Sequence, residues 1–301
     1  MPIALRSSFF AAVMLCVCSA GPLYAQLRIL PLGDSITAGY TDNPNWTVPF
    51  NHGYRGPLHT LLTEAGYDFE FVGGSPEPAT DGTPLLFLPN LNVADWSFGG
   101  TRTPVNDLAS IGQGGHRGYG GAQSAGLVPL VEGWLAEDEP DIVLLMIGTN
   151  DRNLASAQTL IGRVTAARPD AQLIVAQIVP YRSDFTDRNE EVRAFNTGLR
   201  DLVIPRFQAA GANVTLVDQY TGFLTDPDDP TSINDALMAT GNHPNTAGYN
   251  QMAQVWFEGI TAVAQVPEPT AAMLLPAAAG VVLARRQPPA GWSSRAPGHA
   301  D

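Results

Sequence analysis

Cysteine is almost absent. The 301 residues contain two, Cys16 and Cys18, both close to the start of the chain. Everything beyond them lacks a thiol, so the body of the protein has neither a disulfide nor a thiolate metal site. Basic charge is scarce as well: 16 Lys and Arg against 29 Asp and Glu leave a net charge of −13. Such a surface repels nucleic acid and anionic membranes, so neither is expected as a partner. No Walker or dinucleotide glycine pattern occurs, and no nucleotide cofactor is implied. His52, His59 and His299 show no paired spacing, and no metal is implied. What remains is 45% hydrophobic, enough for one large domain with a sizeable core.

Both ends read as addresses rather than fold. In residues 1–25, Arg6 supplies a positive start, Phe9 to Val17 an apolar stretch, and Ser19-Ala20 or Leu23-Tyr24-Ala25 a cleavage region. That is a signal peptide, with export as its consequence. At the other end, Val266-Pro-Glu-Pro269 precedes an apolar run from Ala271 to Ala284 and then Arg285-Arg286. As a helix this run spans roughly 21 Å, short of the ~30 Å hydrocarbon core, so contact with the membrane would be transient. Pro267, Pro269 and Pro276 oppose a helix packed on the domain. The segment resembles a PEP-CTERM sorting signal. That resemblance implies exosortase-type processing machinery as a partner and delivery to the cell surface or extracellular matrix. The expected organisation is a signal peptide (1–25), one main domain (26–263), a sorting segment (264–287) and a disordered tail (288–301).

Between the ends, apolar strands alternate with amphipathic helices, the pattern of an α/β fold with a parallel sheet covered on both faces. Strands are expected at Leu27–Leu32, Asp68–Val72, Asp141–Ile147, Gln172–Val179 and Asn213–Val217. Helices are expected at Tyr54–Ala65, Ala122–Ala136, Leu154–Ala167, Asn189–Ala210 and Thr246–Val263. Residues 75–121 form a long Gly-, Pro- and Asp-rich connection, whose Leu85–Leu88 and Trp96–Phe98 either pack under the domain edge or line a pocket.

Four short stretches fall where the strands of such a sheet would converge. Gly33-Asp34-Ser35 ends the first strand and projects a hydroxyl at its C-terminal edge, where open α/β sheets build reaction sites. Gly118-Tyr119-Gly120-Gly121 precedes a helix and could offer an amide to an oxyanion from any of its glycines. Gly148-Thr149-Asn150-Asp151 ends the third main strand and offers a side-chain amide. Asn242-His243-Pro244-Asn245 precedes the last helix and supplies a base. A serine hydroxyl needs a neutral imidazole to take its proton, and a tetrahedral oxyanion needs donors already in place.

Taken together, Gly-Asp-Ser-Ile-Thr, Gly-Thr-Asn-Asp and His-Pro-Asn resemble the blocks of the SGNH hydrolases, the GDSL esterase/lipase superfamily, over Leu27 to Val263. The resemblance implies a three-layer, flavodoxin-like α/β/α sandwich around a five-stranded parallel sheet. It makes Ser35 the nucleophile and His243 the base. The amides of Ser35 and Gly121 and the side chain of Asn150 would form the oxyanion hole. It implies no cofactor. Gly53-Tyr54-Arg55, Phe71-Val72-Gly73 and His116-Arg117-Gly118-Tyr119 look most like carbohydrate esterases that deacetylate xylan, which places His116 and Arg117 either at the substrate mouth or on an exposed loop. The expected activity is hydrolysis of short acyl esters, acetyl above all, on a polysaccharide. A lysophospholipase or thioesterase, or a surface carbohydrate-binding descendant without turnover, are the alternatives. One departure bears on the mechanism. Where the superfamily has an aspartate three residues before the histidine, this chain has Thr240, whose hydroxyl can accept a hydrogen bond from the ring but carries no countercharge; a Ser–His dyad, or a triad completed by Asp235 or a backbone carbonyl, are the alternatives.

Overall fold

The computed structural model describes residues 26–39, 53–74, 108 and 111–264. The expected signal peptide, the Leu85–Leu88 and Trp96–Phe98 stretches, the sorting segment from residue 265 and the tail lie outside the described residues.

The chain enters through β1 (Leu27–Gly33) and α1 (Ser35–Ala38), then α2 (Arg55–Glu64), β2 (Phe69–Phe71) and the two-residue β3 (Arg117–Gly118). It continues through α3 (Ser124–Leu127), α4 (Val131–Asp138), β4 (Ile142–Met146), α5 (Leu154–Ala167) and β5 (Gln172–Ala176). Helix α6 (Thr186–Gly198), a π-helical turn (Leu199–Val203) and α7 (Ile204–Ala209) lead to β6 (Val214–Val217). A small hairpin, β7 (Met238–Thr240) and β8 (His243–Pro244), precedes the last helix, α8 (Thr246–Val263).

Strand order is β2-β1-β4-β5-β6, all parallel, with β3 also pairing to β1. This is the flavodoxin-like order expected above. From β1 the chain first steps outward to β2, then returns past β1 and runs the other way through β4, β5 and β6. Right-handed crossovers therefore put helices on both faces. Helices α2 and α8 pack together, and α3 and α4 pack on α5. All five residues of β4 are buried, as a strand covered on both sides must be.

Pro31 sits inside the central strand β1, where a missing N–H ordinarily breaks a ladder. Here it breaks nothing. Leu27, Ile29 and Gly33 bond toward β2 and the β3 segment, and Arg28 bonds toward β4. Pro31 thus points its nitrogen to the β2/β3 side, in the gap between pairings that stop at Ile29 and resume at Leu32.

The expected helices Leu154–Ala167 and Thr246–Val263 match the observed bounds. Two others are interrupted. Ala122–Ala136 is split into α3 and α4 around Pro129, and Asn189–Ala210 becomes α6, a π turn and α7, with Pro205 at the start of α7. In each case a proline lacks the N–H that a continuous helix needs, and the backbone re-forms around it.

Past β5 the chain must turn without exposing its backbone, and two buried asparagines of α6 hold it. Asn196 accepts from the Ile178 amide (2.9 Å) and donates to the Ile178 carbonyl (2.8 Å). Asn189 does the same for the Tyr181 amide (2.8 Å) and for the carbonyls of Tyr181 and Arg182. Replacing Asn196 with alanine orphans a buried donor and acceptor at about 1–3 kcal/mol each. A melting temperature lower by roughly 6–12 °C is expected by calorimetry.

Candidate active site

The reaction edge starts from a glycine. A Cβ on Gly33 would lie 2.1 Å from the Met146 carbonyl and 2.5 Å from Thr37 Oγ1, so only glycine lets β1 end this close to β4. Asp34 follows as the N-cap of α1, its Oδ1 accepting from the Ile36 amide (3.0 Å). Ser35 is then the first residue of α1, only 4% exposed, with its amide at the helix start, where amides have no intrahelical partner. The wholly buried Arg55 closes the other end of this short helix, donating to the carbonyls of Thr37 (3.1 Å) and Ala38 (3.2 Å).

His243 arrives from the opposite end of the chain. Its strand β8 is held against β7, and Asn245 locks the exit into α8. The Asn245 carboxamide accepts from Ala247 (2.9 Å) and Gly248 (3.1 Å) and donates to the Ala236 carbonyl (2.8 Å). The result is a hydrogen bond of 2.7 Å between Ser35 Oγ and His243 Nε2, across 208 positions of sequence.

Asn150 leaves the C-terminal end of β4 and donates Nδ2–H to the Ala122 carbonyl at 2.9 Å, which keeps a second N–H of the same amide for another acceptor. Ala122 is the neighbour of Gly121, whose φ of +67° only glycine adopts freely. In the glycine cluster, the Gly118 amide donates to His116 Nδ1 (2.9 Å), the Tyr119 amide to Gly33 O and the Ala122 amide to Tyr119 O. The Gly118 amide is therefore committed internally. Asp151 fixes the same junction by accepting from the Ser124 amide (2.9 Å) and hydroxyl.

One reading is corrected. His116 and Arg117 are not on an exposed loop: both are buried. Arg117 makes a two-pronged ion pair with Asp138 (2.8 and 2.9 Å), reaches Glu137 (2.8 Å) and lies over the Trp134 ring. A planar guanidinium suits this framework role. Asp235, a candidate for orienting His243, gives its two oxygens to the amide (2.8 Å) and hydroxyl (2.6 Å) of Ser183.

Sequence reasoning missed the surroundings of Thr149. Its carbonyl accepts from Tyr181 Oη (2.8 Å) and from Arg152, while Arg152 also pairs with Glu191 (2.7 Å). These contacts join residues that no short motif links. The segment after Tyr181 is tied in turn to the histidine hairpin, the Arg182 amide donating to Gly241 O at 2.9 Å.

Asp34 carries the main electrostatic tension. It is 0% exposed, and burial pushes its pKa up to about 6, against the favourable pull of the Ile36 amide, Thr149 and His243. Its Oδ2 and the Thr149 hydroxyl are both buried with no hydrogen bond of good geometry among the described residues.

A parallel α/β domain with a serine–histidine pair at its switch point, framed by amide donors, is the architecture of a serine ester hydrolase. The model for GDSL-like lipase/acylhydrolase matches residues 29–256, and the chain belongs to that family. A curated relative, a multidomain esterase of Ruminococcus flavefaciens, is 25% identical over 258 residues. That match covers 78% of this chain and 28% of the relative, so the chain spans under a third of that protein's length. Two solved structures share the fold. A family 3 carbohydrate esterase of Clostridium thermocellum has 22% identity and a TM-score of 0.51 over 78% of this chain and 94% of that one. A family 3 carbohydrate esterase of Talaromyces cellulolyticus has 23% identity and a TM-score of 0.54 over 78% and 96%.

Because the folded state holds the Asp34 proton up to about 6, against 3.8 unperturbed, this residue destabilises the fold progressively as pH rises through that window. The cost above it is about 3 kcal/mol. Asp34→Asn keeps the capping oxygen, so a higher melting temperature than wild type is expected at pH 8, with the gain vanishing below pH ~4.

Proposed function

We propose that the protein is an exported serine esterase that removes short acyl groups, acetyl first, from a carbohydrate through an acyl-enzyme on Ser35. The observation that carries this reading is the 2.7 Å contact between Ser35 Oγ and His243 Nε2 at the switch point of the sheet. Ser35 Oγ attacks the acyl carbon while His243 Nε2 takes its proton. The oxyanion is met by the amides of Ser35 and Gly121 and by the Asn150 N–H that Ala122 does not use. Collapse expels the sugar alkoxide, which receives the proton from His243. A water molecule then attacks the acyl-serine with His243 again as base, releasing the acid and restoring Ser35.

Two features support a sugar as leaving group. The relatives above are a multidomain esterase and carbohydrate esterases by name. The Tyr181–Arg182 segment is braced between Thr149 and the histidine hairpin, and Phe185 stands beside Tyr181 with ring centroids 5.9 Å apart and 40% of its surface exposed. An aromatic face on a rigid segment at this edge suits the apolar side of a sugar ring. The signal peptide (1–25) and the sorting segment (264–287) support an address at the cell surface or matrix, with the exosortase-type machinery as the processing partner.

Hydrolysis of p-nitrophenyl esters by the full chain tests the reading. Ser35→Ala is expected to lower kcat by at least about 10⁴-fold, and wild-type kcat/KM to fall from acetate to longer acyl chains. Equal rates in the two proteins would sink the enzyme mechanism, and a preference for long chains would turn the reading toward a lysophospholipase. Phe185→Ala is expected to raise KM several-fold on acetylated xylo-oligosaccharides while leaving p-nitrophenyl acetate unchanged. Equal effects on both would remove Phe185 from the sugar site.

A further inference from the structure

The turn after β4 is held from two sides. Its first carbonyl, Gly148 O, accepts from the amides of Asp151 (3.3 Å) and Arg152 (2.7 Å), which closes the turn on itself. Toward α3, Asn150 donates to the Ala122 carbonyl and Asp151 accepts from the Ser124 amide. On the other side, the Thr149 carbonyl accepts from Tyr181 Oη (2.8 Å) and from the Arg152 guanidinium. That carbonyl belongs to the planar peptide unit from which Asn150 leaves, so its two donors set the plane and, through it, the direction of the Asn150 side chain. We propose that Tyr181 and Arg152 are positioning residues for the reaction: by holding the Thr149 carbonyl, they aim the Asn150 N–H that Ala122 does not use at the oxyanion. The inference rests on the mechanism proposed above and adds the residues that orient its side-chain donor.

Both donors are built for this one position. Arg152 has a φ of +44°, a left-handed conformation that glycine adopts freely and an L side chain only at a cost. From there its guanidinium folds back onto a carbonyl earlier in its own turn, anchored by Glu191 (2.7 Å) and donating to Tyr181 Oη (3.1 Å). Strain kept at an arginine in the oxyanion-donor loop marks a residue retained for what its side chain holds. Tyr181 is fixed in turn by Asn189, which accepts from its amide (2.8 Å) and donates to its carbonyl (3.1 Å). Burial pushes the Tyr181 phenol above its ordinary range, so Oη keeps its proton and remains a donor to Thr149. One residue further on, the Arg182 amide donates to Gly241 O (2.9 Å) in the histidine hairpin. The segment therefore spans from the loop of the oxyanion donor to the loop of the base, two groups whose mutual placement matters most in the transition state.

The test is a double-mutant cycle in the full chain, assayed with p-nitrophenyl acetate: Tyr181→Phe, Asn150→Ala and the two combined. Tyr181→Phe removes one oxygen and keeps the ring. It is expected to lower kcat about tenfold with KM within about twofold. Inhibition by phenylboronic acid, whose tetrahedral adduct with Ser35 mimics the oxyanion, should weaken by the same factor. Asn150→Ala is expected to lower kcat by about 10²–10³-fold. On that background Tyr181→Phe should cost less than about twofold more, because the donor it aims is gone. A full tenfold loss on both backgrounds would overturn the proposal, as the pattern of a general structural role. A raised KM with kcat preserved would overturn it too, as the pattern of a substrate contact. Arg152→Gly supplies a second variant, since glycine takes the same φ without strain. The same selective fall in kcat is expected, again suppressed beside Asn150→Ala, and wild-type kcat in both Tyr181→Phe and Arg152→Gly refutes the clamp. Failure of the underlying mechanism is separable: Ser35→Ala would then retain turnover, or Asn150→Ala would keep the wild-type kcat, whatever Tyr181 does.

Discussion

At Gly33 three strand ends come together with no room for a side chain between them. The residue pairs with Gly118 of β3 on one flank and Met146 of β4 on the other, and the Met146 carbonyl occupies the place a Cβ would need. From these ends leave the turns that carry Ser35, Gly121 and Asn150. Their mutual placement is therefore a property of the sheet, and each turn adds a short-range correction to it. Asn150 makes one such correction by donating to Ala122, binding the β4 loop to the glycine turn. His243 alone comes from off the sheet, and it is the residue with the most local bracing, through β7, Asn245 and the start of α8.

The loops at this edge are held by side-chain amides rather than by packing. Asn150, Asn189, Asn196 and Asn245 each use donor and acceptor, or donor alone, to satisfy backbone groups that the ends of strands and helices leave open. A carboxamide suits this role because it bonds to either backbone group without bringing a charge into a desolvated edge. Of the carboxyl groups described here, Asp151 and Asp235 each accept from an amide and a hydroxyl.

Much of this was legible in the amino acids. Five apolar runs separated by amphipathic stretches are enough for a parallel sheet, because a strand buried on both faces must be continuously apolar, and Ile142–Met146 is. The reacting pair was legible through the short Gly-Asp-Ser and His-Pro-Asn blocks, whose glycine and asparagine do local backbone work that the sequence displays directly. The breaks at Pro129 and Pro205 were equally visible, yet the apolar periodicity on either side reads through them. The burial of His116 and Arg117 was hidden for a different reason. A cationic residue in a glycine-rich loop looks solvated, and only the fold brings Asp138 and Trp134, some twenty positions away, around it. The bracing of Thr149 by Tyr181 and Arg152 is likewise a tertiary fact with no local signature.

Asp34 shows why a local reading of such a residue is incomplete. As a helix cap it needs one oxygen acceptor, and asparagine offers the same acceptor without desolvating a charge. The second oxygen of the aspartate is buried without a hydrogen bond of good geometry among the described residues, and burial pushes its pKa up to about 6. Stability alone would favour the neutral side chain.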